Sequence, residues 1–256
     1  MKVKRLICFI MGVLAIEGGI LIGISVMSSG SRVYGETDQP VKQNETAAEK
    51  EEKKEIRTND KEVRKIYNDN KKILVLVNAQ RELSDNYDAS LRTICGGRLQ
   101  ASERLYPALV DMLEAAGEKG YRYWIASAWR SREKQQRLVD EDVRAAMQKG
   151  ASYQEALEET YRETMPAGHS EHETGLALDI LCQGNMRMDR SQKNEPGNIW
   201  LRKNSWRYGF ILRYPKKKES VTGISYEPWH FRYVGKKAAA YMHKHDLVLE
   251  EFWEKL

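Results

Sequence analysis

The stretch Ser170-Glu171-His172-Glu173-Thr174-Gly175-Leu176-Ala177-Leu178-Asp179 constrains this chain more than any other. A glycine turn separates His172 from Asp179, and the residues after it alternate. Leu176, Leu178 and Ile180 face one side of a short strand, while Gly175, Ala177 and Asp179 face the other. The first side must cover a core. The second sets a carboxylate beside two small residues, which leave room for a bound group. A downstream cluster, Glu227-Pro228-Trp229-His230-Phe231, adds a second imidazole and a spare carboxylate.

The N-terminal region reads differently. Lys2, Lys4 and Arg5 precede a run from Leu6 to Met27 whose only charge is Glu17. Crossing a bilayer takes roughly 20 apolar residues. Basic residues before the run, with Glu36 and Asp38 after it, orient it with the N-terminus inside. The expectation is a single-pass anchor in a bacterial cell membrane, with the rest of the chain outside. Val33-Tyr34-Gly35 offers a signal-peptidase site, so secretion after cleavage is the alternative. From Glu36 to about Lys61, Glu, Lys, Gln, Asn and Thr dominate. Such a segment cannot bury enough apolar surface to offset its ordering entropy, and it reads as a stalk. The expected layout is therefore 1–5 cytoplasmic, 6–27 anchor or signal segment, 28–66 disordered stalk and 67–256 folded domain.

Within that domain Ile73 to Val77 reads as a buried strand, followed by an irregular segment to Gly97. Leu105, Leu109, Met112 and Leu113 fall at helical spacing over 101–116, with Gly117 and Gly120 as stop signals. Tyr123 to Ala128 reads as a strand that delivers Trp129, Arg130 and Ser131. Helices are expected over 132–148 and 153–164, a loop over 183–196, a helix over 200–208 and a strand over 210–213. Trp229, Phe231 and Tyr233 share one face of a further strand, His230, Arg232 and Val234 the other. A helix over 236–245 closes the pattern. Strands scattered among unequal helices indicate an α+β fold. Cys95 and Cys182 make no framework signature, so no disulfide is expected. A net charge of +5 on 256 residues gives nucleic-acid binding no support. Nothing in the sequence calls for a protein partner.

Zinc takes imidazole nitrogen and carboxylate oxygen, and a catalytic site keeps one position open for water. His172, Asp179 and His230 would make such a site. The H-E-x-x-H helix of many metalloproteases is excluded, because Leu176 stands where the second histidine belongs. His169 rivals His172 on spacing alone, but Pro166 and Gly168 put it in a loop. His243 and His245, two apart on a helix, point roughly 200° apart and do not chelate one ion. Glu227 can serve as a proton carrier beside a metal, and Arg130, at a strand end, as an oxyanion stabiliser. Taken singly, each reads as an ordinary surface residue.

Three motifs in order, Ser127-Ala128-Trp129-Arg130-Ser131 with Gln135, the 170–179 stretch, and Glu227-Pro228-Trp229-His230-Phe231, make the chain resemble the VanY-type D-alanyl-D-alanine carboxypeptidases of zinc peptidase family M15. The resemblance implies a hedgehog/D,D-peptidase-like fold, a small antiparallel sheet flanked by helices, and one Zn2+ per chain on His172, Asp179 and His230. It also implies Glu227 as base, Arg130 as transition-state stabiliser, and Ser170, Gln135 and Tyr214 as contacts to the peptide terminus. Trp129 departs from the tyrosine more usual there. The implied substrate is a peptidoglycan stem peptide ending in D-Ala-D-Ala, and loss of its last residue suits a role in glycopeptide resistance. Two readings stay open beside it: an L,D-carboxypeptidase acting on tetrapeptides, and a non-catalytic zinc-containing wall-binding module.

Overall fold

The computed structural model describes residues 60–256, so the expected membrane segment over 6–27 and most of the expected stalk lie outside the described residues. Among the described residues, no helix is long and apolar enough to cross a membrane. One boundary shifts. Residues 60–69 are helical (α1), and Val63 and Ile66 on that helix are buried in a cluster with Leu74, Tyr241, Leu249 and Phe252. The stalk expected to run through 66 therefore gives way to folded chain by residue 60.

Two antiparallel sheets form the β part. β1 (Leu91–Ile94) and β2 (Leu99–Ser102) make a hairpin around Cys95–Gly97, where Gly96 and Gly97 take positive φ. The larger sheet comprises β3 (Tyr123–Ser127), β4 (Ala177–Cys182), β5 (Phe210–Leu212) and β6 (His230–Tyr233), ordered β3-β4-β6-β5. Around it lie α2 (Tyr106–Glu118), α3 (Arg132–Gln148), α4 (Tyr153–Thr160), α5 (Pro196–Asn204), α6 (Glu219–Thr222), α7 (Lys236–His245) and α8 (Leu249–Trp253). The α+β expectation holds, with a small antiparallel sheet flanked by helices.

Alternation decides which face of the sheet is dry. Ile125, Leu178, Ile180, Phe210 and Phe231 pack against Leu105, Leu109 and Met112, at and along α2, and against Leu201 of α5. Burying side chains of this size stabilises the fold by about 1.5–3 kcal/mol each. The other face is left for Asp179, His230 and Arg232.

Three expectations change. Residues 73–77 are not a strand: the carbonyls of Ile73 and Val75 accept from the Arg232 guanidinium, and that of Leu74 accepts from the Trp253 indole. Side-chain donors stand in for the ladder, which satisfies a buried backbone equally well. The helix expected from 101 starts at Tyr106, because 99–102 is spent pairing with β1. Gly175 does not provide clearance beside the candidate metal. Its φ is +70°, and a Cβ there would lie 3.0 Å from the backbone nitrogen of Ser102. The glycine is required by the turn into β4 and by the close approach of β2.

Candidate active site

Strand register builds the site. Asp179 on β4 pairs with Ser127 on β3 and with His230 on β6, so three polar side chains stand in a row across the sheet. The β3–β4 register shifts between Ile125 and Ser127. Such a bulge re-aims the residue that follows it. His172 arrives from outside the sheet, on the single helical turn Glu171–Thr174 that Gly175 ends. The backbone N–H of Arg130 donates to the carbonyl of His172 at 3.3 Å, which locks the end of β3 to that turn.

One ligand atom each from His172, Asp179 and His230 lie within 4.8 Å of one another, and all three residues are buried. His172 Nδ1 is 2.7 Å from the carbonyl oxygen of Ala128. A carbonyl only accepts, so Nδ1 carries the proton and Nε2 presents its lone pair. That lone pair faces Asp179 Oδ2 at 3.2 Å. Burial, reinforced by the Arg130 cation, depresses the His172 pKa to about 4, although Asp179 pulls the other way. With Nδ1 committed to the Ala128 carbonyl, Nε2 and Asp179 Oδ2 are two electron-rich atoms facing one another, and a metal cation fits between them. Asp179 Oδ1 also leaves room for a cation: it is buried, has no hydrogen-bond partner, and lies 3.2 Å from His230 Nδ1. The mixed nitrogen and oxygen donor set suits zinc.

The two imidazoles shift in opposite directions. Burial also disfavours the charged form of His230, but contacts with Asp179 and Glu171 and the charge of Glu227 outweigh it and lift the group to about 9. The asymmetry has a plain cause, since Arg130 bears on the His172 side and the carboxylates of Glu171 and Glu227 bear on the His230 side. Burial acts against the ionised form of Asp179 as well, yet the imidazoles hold its pKa well below the usual range.

Arg130 is held on three sides. Nε donates to Ser127 Oγ at 3.0 Å, Nη1 to Gln135 Oε1 at 3.1 Å and Nη2 to Asp179 Oδ2 at 3.2 Å. One N–H on each terminal nitrogen is left over. Glu227 Oε2 lies 3.5 Å from His230 Nδ1. Burial raises the Glu227 carboxyl to about 8; His230 and Arg130 oppose the rise, while Asp179 and Glu163 add to it. Both residues line one cavity of about 180 Å³, together with Ser170, Tyr214 and Trp229.

All eight candidate site residues therefore line one cavity. Gln135 has both ends of its carboxamide engaged, since Nε2 also donates to the carbonyl of Met165 at 2.6 Å. His169 stays outside, its Nδ1 2.8 Å from the carbonyl of Asn78. His243 stacks on Trp206 and His245 lies tilted against Tyr241, away from the candidate metal trio. Cys95 and Cys182 are both free. Sequence reasoning passed over Glu163 and Met188, which line the cavity mouth, and Glu171, which is fully buried. Nothing in the local spacing marks the first two. For Glu171 a signal existed: two arginines, Arg213 and Arg232, sit on strand-like segments that must bury one face.

A family model described as VanY: D-alanyl-D-alanine carboxypeptidase matches residues 98–236. A D-alanyl-D-alanine carboxypeptidase of Enterococcus faecalis is 40% identical over 179 residues, which span 70% of this chain and 65% of the relative. The solved structure of VanYB in complex with D-alanine-D-alanine superposes with a TM-score of 0.65 at 38% identity, covering 71% of this chain and 97% of that one. A vancomycin-resistance D,D-pentapeptidase VanY in complex with Zn(II) is similar at 37% identity and a TM-score of 0.65, over 71% and 99% of the two chains. The LD-carboxypeptidase LdcB follows at 35% identity and a TM-score of 0.62, over 72% and 86%.

Proposed function

The chain belongs to the VanY family of D-alanyl-D-alanine carboxypeptidases, and on that ground we propose that it is a zinc-dependent enzyme that removes the terminal D-alanine from peptidoglycan stem pentapeptides. One observation carries the reading to residue level. The buried trio His172, Asp179 and His230 opens into the cavity that Glu227 and Arg130 also line. A zinc ion held by the trio would supply Lewis acidity toward a peptide carbonyl and would lower the pKa of water.

The protein's own groups do the rest. Glu227 takes the proton of the attacking water and returns it to the amine of the departing D-alanine. Burial raises the Glu227 pKa, which makes the carboxylate a stronger base than an exposed one. Arg130 directs its two spare N–H groups at the oxyanion that develops on the carbonyl oxygen. It is already held by three partners, so little reorganisation accompanies the reaction. Ser170 and Tyr214 contact the peptide terminus, and Gln135, with both ends engaged, acts by fixing Arg130. The run over 6–27 anchors the chain in the bacterial membrane and places residues 60–256 against the wall.

Metal analysis of the purified 36–256 segment tests the ligand set. About one zinc per chain is expected, lost in His172→Ala and in His230→Ala. Zinc that survives His172→Ala but disappears in His169→Ala would put the wrong histidine in the site.

A further inference from the structure

Behind His230 lies a buried set of charges that the reaction as described does not use. Glu171, Arg213 and Arg232 have fully buried side chains. Glu171 Oε1 accepts from Arg213 Nε at 2.8 Å and from Arg232 Nη1 at 2.7 Å. Arg213 turns its two terminal nitrogens to Glu250 of α8, at 2.7 and 2.6 Å. Arg232 donates its remaining fork to the carbonyls of Ile73 and Val75.

Every arm of this set is engaged except one atom. Glu171 Oε2 is buried with no hydrogen-bond partner, and so is His230 Nε2. The two lie 3.6 Å apart. They are on the side of the imidazole away from Asp179, which faces Nδ1 at 3.2 Å. The ring itself is packed between His172, with centroids 5.0 Å apart, and Tyr214, at 4.8 Å. Packing of that kind sets the ring plane but does not choose which nitrogen faces the metal. A polar partner must do that.

We propose that Glu171 is a positioning residue for His230: its Oε2 accepts the Nε2–H, fixes the proton on that nitrogen and turns the Nδ1 lone pair toward the metal, while Arg213 and Arg232 hold the carboxylate in place. Closing 3.6 Å to a hydrogen bond requires a shift of under about 1 Å. A metal-ligating imidazole usually gives its other N–H to such an acceptor, and loss of the acceptor weakens metal binding. The arrangement also ties α8 and the 73–77 segment to the metal site through Glu250 and Arg232. The inference rests on His230 being a ligand.

Zinc affinity, measured by competition with a chromophoric chelator, separates the possibilities when read with folded content by circular dichroism. Glu171→Gln keeps the shape but presents an amide N–H or an uncharged oxygen to His230, and a weakening of about 10–100-fold is expected. Glu250→Gln removes a charge from the same arginine one step further away and is expected to lower thermal stability while leaving zinc affinity near wild type. Unchanged affinity in folded Glu171→Gln overturns the proposal, and so does an equal weakening in both variants, which would mean general loosening. His230→Ala that still binds zinc normally would instead refute the ligand assignment. If Glu171→Gln does not fold, nitrogen-15 NMR of the zinc-loaded wild type decides. A slowly exchanging proton on His230 Nε2 is expected, whereas exchange at solvent rates or ligation through Nε2 contradicts the proposal.

Discussion

Asp179 is the residue on which the site turns, because it faces His172, His230 and Arg130 at once, each at 3.2 Å. Its neighbours divide the chemistry by where they stand. Glu227 lies beside His230, off the Asp179 carboxylate, so its removal should spare the metal and remove the proton carrier. In Glu227→Ala, kcat is expected to fall about 10²–10⁴-fold with zinc content unchanged, read by steady-state kinetics beside metal analysis. Undiminished hydrolysis with zinc still bound would remove Glu227 from the mechanism. Arg130 makes a directional claim as well. Lysine retains the charge but not the fork that reaches Ser127, Gln135 and Asp179, and the two are not interchangeable at such a site. Arg130→Lys should therefore cost about 10²–10³-fold in kcat, and a rate within experimental error of wild type would remove Arg130 from the mechanism.

At the scale of elements, the site depends on where β3, β4 and β6 begin and end. Gly175 turns the chain into β4 at φ +70° against the backbone of Ser102. Gly175→Ala should lower stability by about 1–3 kcal/mol, measurable by urea unfolding. No loss would mean that β2 moves aside freely. Ser131 accepts from the backbone N–H of Lys134 and so caps α3 directly after Arg130. Ser131→Ala is expected to cost about 1 kcal/mol. Much of this architecture was legible in the chain. The 176–180 alternation placed Asp179 opposite the core, and Trp229 to Val234 did the same for His230. The β1–β2 hairpin was not legible, because Leu91–Ile94 and Leu99–Ser102 are four residues each and neither alternates strongly. Ile73 to Val77 misled for the opposite reason: a strand-like apolar run finds its hydrogen-bond partners on Arg232 and Trp253, a pairing that no local pattern encodes. Glu171 was half legible: Arg213 and Arg232 on strand-like segments called for a buried carboxylate, but its partners lie 42 and 61 residues away, and nothing local says which carboxylate it is.

For the molecule as a whole, residues 60–256 contain both main hydrophobic clusters and the site. The C-terminal α8 is part of that unit, since Glu250 neutralises buried Arg213 and Phe252 is fully buried. Ending the chain at 248 should leave buried Arg213 and Arg232 sharing the one carboxylate of Glu171 and cost about 3–5 kcal/mol, seen as a lowered Tm. The 6–27 run predicts that the full chain sediments with membranes and that the 36–256 segment does not. The register that lines up Ser127, Asp179 and His230, together with the turn that brings in His172, gathers the proposed hydrolytic centre from separate parts of the chain. Its activity is tested most directly by D-alanine release from matched stem pentapeptide and tetrapeptide, using the zinc-loaded 36–256 segment. Release from the pentapeptide, abolished by a chelator, is expected; release from the tetrapeptide alone would rule out the D,D activity and identify an L,D-carboxypeptidase.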